Sequence, residues 1–244
     1  MTEALEFPRV IPTAFAPRSD VPYVGLKQGD LRNRATLYSI VWWLCQSNFN
    51  KIVVVETTGD ASLAPSLQTT AAACGKTLEF LAIDNDHASV ARYGKGFGEG
   101  FAMDRAYDRS RLLQECSGFF KCTGKIVVEN YLECVDFARD KQFYFDAPRT
   151  LPNFVDTRFY FATRAFWLQN LRYAYTHVDD PGNVFLEHAY FEAIAKVGPV
   201  PFNPIVFRYA GVSGTSGEFY SSDRYQHLFR TIRRRAYGYA TRKK

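Results

Sequence analysis

An α/β fold with a mostly parallel central sheet flanked by helices is what three features of this sequence predict. Lys51–Thr57 (KIVVVET) sets three consecutive valines after Ile52, the mark of a strand covered on both faces. Strand-like and helix-like runs alternate around it, an order that builds parallel strands joined by right-handed crossovers. Arg92–Gly100 (RYGKGFGEG) then packs four glycines, a lysine and a glutamate between a strand-like and a helix-like run. Glycine costs backbone entropy unless a turn or the close approach of a ligand needs it. A loop of this kind, leading into a helix whose first N–H groups are unpaired, is a candidate phosphate seat, with a tight surface connection as the alternative. It is neither a P-loop nor G-x-G-x-x-G, because its glycines fall at 94, 96, 98 and 100.

In chain order, residues 1–8 read as a loose end. Arg9–Ala16 is apolar enough for a first strand, with Pro12 directing it to a sheet edge or shortening it. Residues 17–30 suit a loop. Leu31–Cys45 reads as a helix with Asp30 as N-cap and Ala35, Leu37, Ile40, Val41, Trp43 and Leu44 on its apolar side. Thr58-Gly59-Asp60 turns the chain into a helix over Ala61–Cys74, closed by Gly75, and Thr77–Ile83 is the next strand. A helix is expected over Phe97–Glu115 and a strand at Ile126–Val128, with Thr123-Gly124-Lys125 as a turn or bulge before it. Residues 129–150 read as short elements at the sheet edge, Arg158–Ala162 as a strand and Arg164–Tyr175 as helical. Asp179–Asn183 is a strong break. Val184–Val197 is then a helix, Ile205–Tyr209 a short strand, Gly211–Gly217 a flexible loop and Asp223–Tyr237 a cationic helix. No repeat or linker divides the chain, so one domain over 1–244 is expected, with 219–244 as a basic aromatic helix or tail.

Composition narrows the function classes. A hydrophobic fraction of 47% argues against disorder. The net charge of +5 is concentrated at one end: eight Lys or Arg lie between Arg224 and Lys244, with no acid after Asp223. The remainder is near neutral, so no nucleic-acid partner is expected. A cationic helix carrying Phe, Leu, Ile and Tyr suits an anionic membrane surface, and a terminal helix packed by its apolar side suits the same residues. RNA binding through the tail is a further reading. Five cysteines without C-x-x-C fit buried thiols in a reducing compartment. Neither a signal peptide nor an 18-residue apolar run is present, and the expectation is a cytoplasmic protein.

Ligands of open parallel sheets sit beyond the carboxyl ends of the strands, which singles out Thr57–Asp60 and Asp84-Asn85-Asp86. Thr57, Asp84, Asn85 and Asp86 are candidate ligand contacts there, with capping and turn formation as the alternative. Glu187 lies just inside a helix start, where an anion is stabilised, and is a candidate general base; complementing the helix dipole is its other reading. His188 beside it points elsewhere, because adjacent helix residues diverge. Lys95, Lys121, Lys125 and Arg158 are candidates to surround a diphosphate, each also readable as a solvated surface charge. Asp156 is a candidate ligand for a divalent metal held together with phosphate oxygens.

Tyr93–Glu99 (YGKGFGE) resembles the lysine-glycine-x-glycine-glutamate loop of bacterial surface-polysaccharide glycosyltransferases with a GT-A-like fold. Phe119–Val128 (FFKCTGKIVV), Asp156–Ala162 (DTRFYFA) and Phe185–Ala193 (FLEHAYFEA) are similar to that group's later blocks, in the same order. The resemblance implies a GT-A-like enzyme moving a sugar from a nucleotide-sugar donor to a glycan or lipid-linked acceptor, in capsule or lipopolysaccharide synthesis. Glu187 would be the catalytic base, favouring inversion. Lys95, Gly96, Gly98 and Glu99 would belong to the donor pocket, joined by Thr57, Asp84 and Asn85. Lys121, Lys125 and Arg158 would be phosphate or acceptor contacts, and Thr123 and His188 acceptor or orienting residues. The chain has Lys125-Ile126 where the group usually has Arg-Tyr, and it lacks D-x-D near residues 119–130, which leaves Mg or Mn dependence open. A peripheral position on the inner face of the inner membrane, through the basic tail, would follow. The alternative is a non-catalytic nucleotide- or glycan-binding component of a polymer-assembly complex.

Overall fold

Ile52 and Val54 face one hydrophobic layer and Val53 and Val55 the other, so this strand must be covered on both sides. The computed structural model describes residues 5–15, 29–148, 151–213, 217–220 and 227–234. Its first half runs β1 (Arg9–Thr13), α1 (Gly29–Gln46), β2 (Lys51–Glu56), α2 (Ala64–Ala73), β3 (Thr77–Ala82), α3 (His87–Tyr93), α4 (Lys95–Arg109) and α5 (Arg111–Glu115). There follow β4 (Gly118–Cys122), β5 (Ile126–Val128), α6 (Tyr131–Ala138), β6 (Phe143–Asp146) and β7 (Asp156–Thr163). A short helix α7 (Arg164–Phe166) continues into a π-helical turn (Trp167–Leu171) and a 3-10 turn (Ala174–His177). The order closes with α8 (Leu186–Ala195), β8 (Tyr209–Val212), β9 (Phe219–Tyr220) and a helix over 227–234.

The main sheet has the order β3-β2-β1-β4-β7-β6. Strands β1 to β4 are mutually parallel, and β7 enters antiparallel to β4 and to β6. The fold is thus α/β, with a mixed, mostly parallel sheet between helices, GT-A-like in general shape. One face packs on α1, α2 and α6 through Trp43, Leu44, Leu67 and Val135. The other packs on α4 and α8 through Ala102, Met103, Ala106 and Tyr190. A small antiparallel sheet, β5-β8-β9, extends from the carboxyl end of β4.

Several expectations need correction. Strand β1 is shortened, ending at Thr13, as one of the two effects expected of Pro12, but it is central and not an edge. Its pairing with β4 covers only Arg9 and Val10, so Pro12 stands past that ladder, where its missing N–H is not required. Residues 5–8 are docked rather than loose: Leu5 N donates to Asn48 O at 3.0 Å, and Phe7 packs on Phe120 and Phe161. Asp30 lies within the first turn of α1 and is not its cap. The inward side of α1 is mixed, with Arg32, Thr36, Ser39, Ile40, Trp43 and Leu44 buried and Val41 exposed. Residues 16–28, most of the expected first loop, lie outside the described residues.

The glycine-rich stretch is helix rather than loop except at Gly94, since α3 runs to Tyr93 and α4 from Lys95 to Arg109, with Ser110 between it and α5. Residues 205–208 are not strand, because side chains take their backbone groups. Ile205 N donates to Asn203 Oδ1, Arg208 N to Asn130 Oδ1, and Asn130 Nδ2 to Val206 O. Strand β8 therefore starts at Tyr209, and Gly211, expected in a loop, pairs with Ile126 inside it. Cys45 is exposed and its Sγ lies 3.1 Å from that of Cys74, so the thiols are not uniformly buried.

The terminal helix over 227–234 is pinned by Arg234, which donates to Asp146 at 2.7 Å and to Ile205 O. Leu228, Phe229 and Ile232 consequently face outward. The rest of the expected tail helix lies outside the described residues. No helix among the described residues is long and apolar enough to cross a membrane.

Candidate functional site

The carboxyl ends of the parallel strands share one edge of the sheet, and the polar residues there form a connected chain. Lys121, one residue from the end of β4, has a side chain only 1% exposed. Its ammonium donates to the Glu99 carboxylate from α4, to Thr123 Oγ1 at 2.8 Å and to Thr157 O at 2.6 Å. Three donors thus meet three acceptors, which makes a buried cation tolerable. Thr157 at the start of β7 uses its hydroxyl as well, donating to Glu187 Oε1 at 2.8 Å. Burial raises the Glu187 pKa, and Glu99 and Asp156 add to the rise while the Thr157 hydrogen bond opposes it. Sequence reading singled out Glu99, Lys121, Thr123 and Glu187, and the fold joins them. It missed Thr157, which has no motif around it beyond its place between Asp156 and Arg158.

Glu187 stands in the first turn of α8. His188 closes that helix start: its Nδ1 accepts from Phe185 N at 3.1 Å, and its ring packs on Phe185 and Phe154. The structure therefore gives His188 a capping role in the helix that carries Glu187.

The glycines of 94–100 report packing. Gly94 has φ +99° and joins α3 to α4. A Cβ there would collide with the Asp180 side chain, and one on Gly100 with Tyr175. On Gly96 it would come 3.0 Å from Asp180 Oδ1, and on Gly98 2.9 Å from Val90. Asp180 is buried and its Oδ2 accepts from Gly96 N at 3.1 Å. An internal carboxylate thus occupies the helix start that the sequence offered as a phosphate seat, and this corrects that expectation. The same packing sets the start of α4 against that of α8, with the Gly96 Cβ position 3.3 Å from Leu186 N. The Lys95 turn and the Glu187 helix are therefore neighbours.

Lys125 follows Gly124 at φ +76° and is 5% exposed. Its surroundings are mainly cationic: Arg32, Lys95 and Lys121 lie within electrostatic reach, with Glu99 as the opposing charge. Burial first, and then Arg32, lower its pKa to about 7. Arg32 is itself buried, and its Nε donates to Ala14 O at 2.7 Å. Nothing in the sequence marked it beyond its spacing with Thr36, Ser39 and Trp43 on the inward side of α1.

Asp156 and Arg158 engage each other instead of pointing separately at a ligand. Arg158 Nε and Nη2 donate to both Asp156 oxygens, and Tyr209 Oη donates to Asp156 Oδ2 at 3.2 Å. Asp156 would have to give up these partners to bind a cation. Among the described residues no three His, Cys, Asp or Glu side chains converge on a metal position. At the end of β3, Asp84 Oδ1 contacts His87 Nε2 at 2.9 Å, and Asp86 caps α3 through Ser89 N. Asn85 Nδ2 donates to Gly98 O at 3.3 Å. Thr57 N donates to Thr13 O. Buried Glu56, missed by sequence reading, organises that corner by accepting from Phe15 N, Thr58 N and Asp60 N.

Topology and site together define a Rossmann-like α/β fold with a connected chain of polar side chains at the carboxyl edge of its sheet. Comparison with solved structures bears on the fold. The chain is similar to a putative glucose-1-phosphate thymidylyltransferase from Bacillus anthracis, solved in complex with a sucrose. The TM-score is 0.52 at 12% identity, over 94% of this chain and 95% of that one. A putative nucleotide-diphospho-sugar transferase from Desulfovibrio desulfuricans G20 gives 0.48 at 9% identity, over 78% of this chain and 76% of that one. The 4-diphosphocytidyl-2C-methyl-D-erythritol synthase of Anaerococcus prevotii DSM 20548 gives 0.42 at 10%, over 95% of each chain. The first of these establishes a shared fold. No protein-family model matches the chain, and no curated protein matches it in sequence.

Proposed function

We propose that this protein is a transferase acting on a nucleotide sugar and that it passes the sugar to an acceptor hydroxyl with inversion. The observation that carries the reading is the chain Glu99–Lys121–Thr157–Glu187 at the carboxyl edge of the sheet. The fold it shares with a thymidylyltransferase supports the nucleotide-sugar part. In the reaction the acceptor oxygen attacks the anomeric carbon, the bond from that carbon to the diphosphate oxygen breaks, and Glu187 takes the acceptor proton. In this reading Thr157 holds the Glu187 carboxylate, and Lys95 and Lys125 offset the charge that develops on the leaving nucleoside diphosphate. The polymer would be a surface polysaccharide. Exposed Arg230 and Arg233 and outward Leu228, Phe229 and Ile232 of the terminal helix would rest on an anionic membrane.

Incubation with UDP-, GDP-, CMP- and dTDP-sugars tests this reading. Release of the nucleotide portion is expected with one of them, and silence with all would overturn it. Glu187→Gln should lower turnover by about a hundredfold or more while donor affinity stays within about twofold. Unchanged turnover would remove Glu187 from the chemistry, and a protein that binds donor without turnover would be a binding component.

Nucleotidyl transfer is the second reading, favoured by what the structurally similar Bacillus protein is described as doing. A sugar 1-phosphate would then attack a nucleoside triphosphate and release pyrophosphate. Pyrophosphate detected in that mixture, with no sugar transfer from any donor, would decide for it.

A further inference from the structure

Two of the five cysteines meet at the surface, and residues outside the pair hold them in register. Cys45 lies in the last turn of α1, and Cys74 is the residue that ends α2. Their Sγ atoms are 3.1 Å apart, with Cys74 donating to Cys45. Cys45 is exposed and Cys74 half-buried, so small reagents can reach the pair. Gly75, at φ +66°, then reverses the chain, and Lys76 N donates back to Ala71 O at 2.9 Å. Lys76 Nζ donates in turn to Trp43 O at 3.0 Å and to Ser47 O at 2.6 Å, carbonyls on either side of Cys45. A lysine commonly satisfies the last carbonyls of its own helix. Here it comes from the segment that follows α2 and ties that segment to the end of α1. The other three thiols are placed differently. Cys122 and Cys134 are buried, and Cys116 Sγ donates to Leu113 O at 3.3 Å. Sulfur atoms in a disulfide lie about 2.0 Å apart, so Cys45 and Cys74 stand about 1 Å from bonding distance.

We propose that Cys45 and Cys74 are a reversible dithiol site, oxidised by low-molecular-weight disulfides to a bridge that clamps α1 to α2. Cys45, the exposed thiol, meets the reagent first: its thiolate attacks one sulfur, breaks the small disulfide and releases one small thiolate. The Cys74 thiolate then attacks the Cys45 sulfur of the mixed disulfide, forming the bridge and releasing the second small thiolate. The two protons the cysteines lose end on the two small thiols, which also carry away the two electrons. The hydrogen bond to Cys74 raises the Cys45 pKa, burial adds to the rise and the Lys76 ammonium opposes it. Closure therefore quickens as pH rises. The two cysteines precede β2 and β3, whose first residues Lys51 and Thr77 pair in register. The bridge thus forms at the amino edge of the sheet, opposite the edge that carries Glu99, Lys121 and Glu187, and it is independent of the nucleotide-sugar reading.

Titration of the full chain with mixtures of oxidised and reduced glutathione at pH 8, quenched with iodoacetamide and read by peptide mapping, tests the site. The expected product is one intramolecular bridge between Cys45 and Cys74, reopened by dithiothreitol, with Cys116, Cys122 and Cys134 recovered as thiols. A link across 29 positions should raise Tm by roughly 5–12 °C over the reduced protein. Cys74→Ser should stop at a glutathione adduct on Cys45 with no rise in Tm. Cys45→Ser should gain neither bridge nor rise, and it decides the matter if Cys74→Ser does not fold. Cys116→Ser should behave as wild type does. No reaction, adducts alone, links between molecules, a bridge to another cysteine, or a bridge that leaves Tm unchanged would each overturn the proposal. Donor turnover bears on none of these outcomes, so this inference and the transfer reading stand or fall separately.

Discussion

Two glycine-lysine turns lie at the carboxyl edge of the sheet, and they differ in what completes them. At Gly94-Lys95-Gly96 the first turn of α4 is met by Asp180, whose carboxylate accepts from Gly96 N and fills the space a side chain at Gly94 would need. At Thr123-Gly124-Lys125 the glycine packs on Thr13, yet the lysine is buried among cations without a hydrogen-bond partner among the described residues. Glycine density therefore marks close packing in the first turn, while the second holds a buried lysine whose pKa burial lowers to about 7. The feature most conspicuous in the sequence and the feature most informative in the structure are different turns.

Gly94→Ala should have the largest effect, since it adds a Cβ both at positive φ and into the Asp180 side chain. A loss of about 3–5 kcal/mol in urea unfolding is expected, combining overpacking with backbone strain. A loss below about 1 kcal/mol would show that this turn is not packed as described. Lys125→Met should act in the opposite direction, stabilising the ligand-free protein by about 1–4 kcal/mol at pH 7.5.

The sign of the pH dependence sharpens that contrast. With its folded pKa lowered to about 7, Lys125 makes the unfolded chain the better proton binder above neutrality. Its contribution to stability therefore rises with pH from about 7 toward about 10, on the order of 4 kcal/mol in all. The variant's own pH curve should be flatter across that window, and identical curves would show that Lys125 is not held uncharged. Glu187 behaves conversely. Its raised pKa makes the folded state the better proton binder, so its contribution is present at acid pH and declines as pH rises through the raised value.

Asp180→Ala is the smallest perturbation and the most pointed. Loss of the bond to Gly96 N should cost about 1–2 kcal/mol, as for a removed helix cap. The freed helix start should then bind sulfate more tightly than wild type does, as read by chemical-shift changes at Lys95 and Gly96. No change there would mean that the carboxylate was not what excluded an anion.

Much of the fold was legible because local and tertiary preferences agree in it. The valines of β2, the Gly75 stop after α2 and the Ile126–Val128 strand are each required by their own residues. Misreadings fall where distant residues override local preference. Each glycine costs a helix about 1 kcal/mol relative to alanine, so four of them over Gly94–Gly100 read as loop. Contacts with Asp180 and Tyr175 make most of them helix nonetheless. Ile205 and Phe207 alternate as a strand would, but the Asn130 and Asn203 amides take the backbone groups that pairing would use. In the site, Glu99, Lys121 and Glu187 carry charge and draw notice. Thr157 works through a carbonyl and a hydroxyl, and Arg32 through its place on the inner side of α1; neither role is written in local sequence.

The bond between Gly96 and Asp180 spans 84 positions. On a ribosome the glycine helix is therefore made long before the residue that seats it. Until the Asp180 region emerges, the opening turn of α4 has helix-breaking residues and none of the contacts that offset them. The polar chain at the sheet's carboxyl edge is thus a late product of synthesis, completed by the same stretch of chain that delivers Glu187.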